Sequence, residues 1–126
     1  MNKIITCLLV LVGLVHLLPV TGVLGTERLS ALYGIPFQDL NLIILMRHRA
    51  ILFGLLGLFL IAAAFHPPLQ PAAFVTGTVS VASFIWLSCS AGSYNAAIAR
   101  VVWIDLVALA CLLVCVGLTV IQRLRE

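Results

Sequence analysis

The chain has 126 residues, 63% of them hydrophobic and 9% charged, with a formal net charge of +3 and a mean hydropathy of +1.26. Soluble domains carry about 45–50% apolar and about 25% charged residues, so a soluble globular domain is excluded: too few charges remain to cover its surface. The basic residues are scattered, with one short cluster at Arg47-His48-Arg49 and no polybasic tail, which leaves no electrostatic footprint for nucleic acid.

A membrane-spanning helix needs about 20 apolar residues, within a range of roughly 17–25. Four stretches qualify: 4–20, 42–65, 71–89 and 98–121. The first contains His16 and Pro19. Lys3, the apolar run and Val23-Leu24-Gly25 also resemble a signal peptide, but a histidine and a proline within the run favour a retained span. Thr21-Gly22 and Gly25-Thr26 end it. In the connector from Glu27 to Asn41 a short amphipathic helix is predicted over 27–33, with Leu29, Leu32 and Tyr33 on one side and Gly34-Ile35-Pro36 as its stop. Such a segment lies in the interface and caps the bundle. His66-Pro67-Pro68 makes a tight turn after the second span, and Pro71 suits the first turn of the third, where its missing N–H costs nothing. Gly92-Ser93-Tyr94-Asn95 separates the third span from the fourth. The expected fold class is all-α: residues 1–126 form one transmembrane four-helix bundle, with a short interfacial segment after the first helix.

With four spans both termini share a side. Loops and tails there hold Lys3, Arg123 and Arg125, against Arg28 alone in the opposite loops. The positive-inside rule then puts both termini in the cytoplasm.

Polar residues at membrane depth converge at the end away from the termini. His16 is near the far end of span one, Arg47, His48 and Arg49 are near the start of span two, and Arg100 and Asp105 open span four. At 1.5 Å per residue, Asp105 is roughly 10 Å inside Ile98 and Arg47 roughly 7–8 Å inside Leu42. Positions three and four apart share a helix face, which gives each span one stripe of small and polar residues: Thr6, Leu9, Gly13 and His16; Arg47, Ala50, Gly54 and Gly57; Thr76, Ser80, Ser83, Leu87 and Ser90; Val101, Asp105, Ala108, Leu112, Cys115 and Thr119. In lipid, helices associate through such stripes. An ionised carboxylate at this depth costs about 2.5–3.5 kcal/mol by insertion scales, so Asp105 needs a partner. Arg47, on the small-residue face, is the preferred one. Arg49, about 200° further round the helix, is expected to snorkel to the headgroups. Arg100 lies about 140° from Asp105 and is expected to pair with Glu27, Asp39 or a lipid phosphate. Trp103 and Tyr94 read as interfacial aromatics, with Tyr94 and Asn95 as a rim to the site. The candidate ligand-binding set is therefore His16, Arg47, His48, Arg49, Tyr94, Asn95, Arg100 and Asp105. The competing reading is a buried Asp–Arg pair that only locks bundle geometry.

Enzyme and metal signatures are missing from the sequence. There is no Gly-rich phosphate loop, no HExxH and no CxxC, so no cofactor or metal is implied. His66 falls at the opposite face from His16 and His48, against a three-histidine site. Ser88 or Ser90 with a histidine and Asp105 lacks a nucleophile elbow. Cys7, Cys89, Cys111 and Cys115 read as small packing residues.

Four short motifs carry a resemblance over nearly the whole chain: Ala31-Leu32-Tyr33-Gly34, Arg47-His48-Arg49-Ala50, Tyr94-Asn95-Ala96-Ala97, and the passage from Arg100-Val101-Val102 to Asp105. They resemble a group of small bacterial four-helix membrane proteins, similar in general look to DoxX-like proteins. Some members of that group carry a phosphopantetheine adenylyltransferase label. That soluble enzyme binds nucleotide on an α/β sheet through His-x-Gly-His, and this chain has neither. The resemblance implies a bacterial inner-membrane location and no defined activity.

The expected function is that of an accessory or ligand-binding membrane protein whose cationic pocket takes an anionic or amphiphilic small ligand, such as a lipid headgroup. The alternatives are a small proton-coupled transporter with Asp105 titrating, and a membrane enzyme acting on a lipid at the outer interface. Membrane lipids are the expected surroundings, and exposed Gly/Ala faces would permit a homo-oligomer.

Overall fold

The structure, a computed structural model, describes residues 2–125. Among these residues five α-helices follow one another: α1 (Lys3–Leu17), continued by a 3-10 segment (Leu18–Leu24); α2 (Thr26–Tyr33); α3 (Leu40–Phe65); α4 (Gln70–Ala91), preceded by a 3-10 turn (Pro67–Leu69); and α5 (Ala96–Leu124). Four of the helical stretches are long and apolar enough to cross a membrane: Lys3–Leu24, Leu40–Phe65, Pro67–Ala91 and Ala96–Leu124. The protein is an all-α, multi-pass membrane bundle, as the sequence predicts.

Side chains supply the helix starts. Asn2 accepts from the Ile4 N–H at 3.0 Å, Asp39 from Asn41 and Leu42 at 2.8 and 3.1 Å, and Asn95 from Ile98 at 2.8 Å. Each satisfies donors that the first turn leaves without an intrahelical partner. Gly34 ends α2 in the left-handed conformation at φ 67°, where a Cβ would also meet Ala97 at 3.1 Å.

The four long helices close a ring in which α1 packs on α3 and α5, and α4 packs on α3 and α5. The tightest crossing is between α1 and α3. A Cβ at Gly57 would come within 2.8 Å of the Gly13 carbonyl oxygen, and one at Gly13 within 2.8 Å of the Gly57 carbonyl oxygen. This is the close backbone approach that small residues permit in lipid.

The two halves of the bundle differ. Ile5, Leu9, Val12, Leu60, Ala63, Phe74, Leu112 and Cys115 fill the interior on the side of the termini. At the other end α2 folds back as a cap, with Leu29, Tyr33 and Phe37 packed on Ile43, Met46 and Ile98. The expected amphipathic segment is present, one residue longer at its start.

The α4 stripe needs correcting. Its buried face is Ala73, Phe74, Gly77, Val81 and Ser88, while Thr76, Ser83, Leu87 and Ser90 are exposed. The hydroxyls bond within their own helix instead: Thr76 to the Ala72 carbonyl at 2.9 Å, Ser83 to Ser80 at 3.0 Å and Ser90 to Trp86 at 2.8 Å. A serine so satisfied faces lipid at little cost. The cysteines divide similarly: Cys115 is in the core, whereas Cys7 and Cys89 are exposed.

Candidate functional site

Between the α2 cap and the apolar core lies a pocket of about 200 Å³. His16 of α1, Tyr33 of α2, Arg49 and Phe53 of α3, and Arg100 and Asp105 of α5 all line it. Four of the eight residues singled out from the sequence therefore meet at one depth: His16, Arg49, Arg100 and Asp105. Arg47, His48, Tyr94 and Asn95 do not line the pocket.

Arg49 is the central cation, contrary to the expectation that it snorkels outward. Its guanidinium lies over the Phe53 ring at 4.5 Å from the centroid, over Tyr33 at 5.4 Å and over Phe84 at 5.7 Å. Its Nη1 donates to the Tyr33 hydroxyl. A planar, weakly hydrated guanidinium is the cation that stacks on aromatic faces, and three rings stand in for the water it lacks. Phe53 follows Arg49 by four residues, so the two share a face of α3.

Arg47 takes another path. It is exposed, and its Nε donates to the Val23 carbonyl oxygen at 2.9 Å, a group in the 3-10 segment that extends α1. The expected Asp105–Arg47 pair does not form: Arg47 turns to the Val23 carbonyl, and the residues of α3 that line the pocket with Asp105 are Arg49 and Phe53. Arg100 is exposed at the rim. The hydrogen bonds of Arg47 and Arg49 both go elsewhere, which leaves the half-buried Asp105 carboxyl facing the pocket.

His16 is 2% exposed and fully engaged. A carbonyl oxygen only accepts, so Nδ1 carries the proton given to Val12 O at 2.8 Å. In the neutral ring Nε2 then accepts from the Ser80 hydroxyl at 3.1 Å. That bond spans the diagonal of the bundle, from α1 to α4. The ring stacks on Phe53 at 5.6 Å and an interplanar angle of 21°. With both edges bonded, His16 is a wall of the pocket and a strut between helices.

Asn95, expected at a rim, has a different task. While its oxygen caps α5, its Nδ2 donates to the Tyr33 carbonyl at 2.8 Å and so ties the end of α2 to the start of α5. Tyr94 is exposed in the α4–α5 connection, and His48 is exposed on α3. Sequence reasoning missed Tyr33 and Phe53. The i, i+4 spacing of Arg49 and Phe53 is the signal that would have found the second.

The site is thus a concave, mostly apolar chamber with two guanidiniums against one carboxyl, set in a four-span membrane bundle. Comparison of the chain with family models, with curated proteins and with solved structures finds no match.

Proposed function

We propose that the protein binds a small anionic or amphiphilic ligand drawn from the membrane, with Arg49 and Arg100 as the anion-binding groups and Asp105 as an acceptor beside them. The observation that carries this reading is the open pocket. A purely structural ion pair would be sealed, with Asp105 locked to its arginine, but here Asp105, Arg49 and Arg100 all line an open pocket. Two guanidiniums to one carboxyl favour an anion, and the guanidinium fork matches carboxylate or phosphate oxygens two at a time.

The interior beyond the pocket is filled by apolar side chains such as Leu9, Leu60 and Leu112. That speaks for binding and against the carrier alternative, which needs a polar path through the bundle. On the resemblance given above we propose a bacterial inner membrane as its place, and on the charge count of its loops both termini in the cytoplasm. The pocket then serves the outer leaflet.

The test is native mass spectrometry of species retained after purification by wild type, Arg100→Gln and Arg49→Gln, each first shown to be folded by thermal denaturation. A charged hydrogen bond contributes about 1.5–3 kcal/mol, so anionic species should fall at least about tenfold in Arg49→Gln. Identical profiles in all three proteins would overturn the anion site.

A further inference from the structure

The pocket continues toward the middle of the bilayer. Val15 and Ile104 border both the pocket and a second depression of about 320 Å³ along the cleft between α1 and α5. Leu11, Val12, Trp103, Val107 and Cys111 complete its walls, and every one of them is apolar. The cleft exists because Ala108, a small and buried side chain, forms its floor. It opens sideways: Trp103 is 70% and Val107 60% exposed, and in a spanning helix that exposure is to lipid.

The direction of the cleft matters. On α5 the pocket with the charged groups occupies 97–105 and the cleft continues to Cys111; on α1 and its 3-10 continuation the pocket occupies 15–19 and the cleft runs back to Leu11. Both lead from the capped end toward mid-membrane, the course an acyl chain takes below its headgroup. From Ile104 to Cys111 is about 10 Å of helix, against about 15 Å for one leaflet of a roughly 30 Å hydrocarbon core. Resting on the binding reading above, we propose that the ligand is a single-chain amphiphile with an anionic head, its head at Arg49 and Arg100 and its aliphatic chain in the α1–α5 cleft. A fatty carboxylate and a lysophospholipid phosphate share that chemistry.

Bilayer tails are as apolar as the cleft, so the chain adds little affinity and a test must read its position. Trp103 and Trp86 are the two tryptophans, and Trp86 lies on α4 outside both cavities. In Trp86→Phe, reconstituted in nanodiscs of unbrominated lipid, Trp103 alone reports. Two arms titrate dibromostearate and a lysophosphatidic acid with a dibrominated chain. The expected result in at least one arm is saturable quenching that the unbrominated amphiphile reverses, shifted at least about tenfold to higher concentration by Arg100→Gln; the arm that saturates identifies the head. Quenching that only rises in proportion to bromine content, while Arg49 still governs retention of anionic species, would overturn the chain assignment and leave the anion site standing. Loss of both effects would overturn both.

Discussion

At Arg49 a cation in hydrocarbon, costing about 2.5–3.5 kcal/mol by insertion scales, is held by three aromatic faces and a tyrosine hydroxyl. Arg49→Lys keeps the charge and loses the planar stack. Each cation–π contact is worth about 0.5–2 kcal/mol, so this variant should be about 1–3 kcal/mol less stable in thermal denaturation in detergent. An unchanged Tm would show that the rings do not stabilise the cation. Asp105 and His16 were legible in the sequence because an ionisable group inside an apolar run is rare and must be accommodated. The choice between Arg47 and Arg49 was not. Small residues mark where α3 approaches α1 and its 3-10 continuation, but they do not tell which arginine the fold turns into the pocket and which it sends to the Val23 carbonyl. Only the fold brings Tyr33 from α2 and Phe84 from α4 around Arg49.

Element boundaries were the most legible feature, since run length in a membrane is set by bilayer thickness and every backbone group must be satisfied inside the segment. The faces were less so. On α1 the predicted stripe holds, with Leu9, Gly13 and His16 buried; on α4 only Ser80 reaches a neighbouring helix, at His16, because hydroxyls satisfied by their own helix carry no information about burial. The α1–α3 crossing gives a test at this scale. Gly57→Ala puts a methyl against the Gly13 carbonyl at 2.8 Å, whereas a Cβ at Gly117 meets nothing within 4 Å. Overpacking costs about 1–3 kcal/mol, so Gly57→Ala should lower the detergent Tm while Gly117→Ala leaves it unchanged or slightly raised by helix propensity. Equal behaviour of the two would contradict the crossing.

For the whole molecule, four spans put the two termini on one face and the α4–α5 connection on the other. In a background lacking native cysteines, Ser93→Cys and Gln122→Cys, both at exposed positions, should react with an impermeant maleimide from opposite sides of sealed vesicles, Ser93→Cys, on the orientation proposed above, from the side away from the cytoplasm. Labelling of both from one side would refute the topology, and reversed labelling the orientation. The packing asymmetry between halves was legible in outline: polar residues at one depth implied a site there, and the amphipathic 27–33 segment implied a cap, but not that the cap would bring Tyr33 into the site. The Asn95 side chain, which caps α5 and grips the Tyr33 carbonyl at once, gives that roof a further meaning. Swinging α2 away from α5 costs the Tyr33 bond, so one side chain fixes both the position of the roof and the first turn of α5. On the binding proposed above, a solute already dissolved in the bilayer reaches the α1–α5 cleft with this α2–α5 joint left intact.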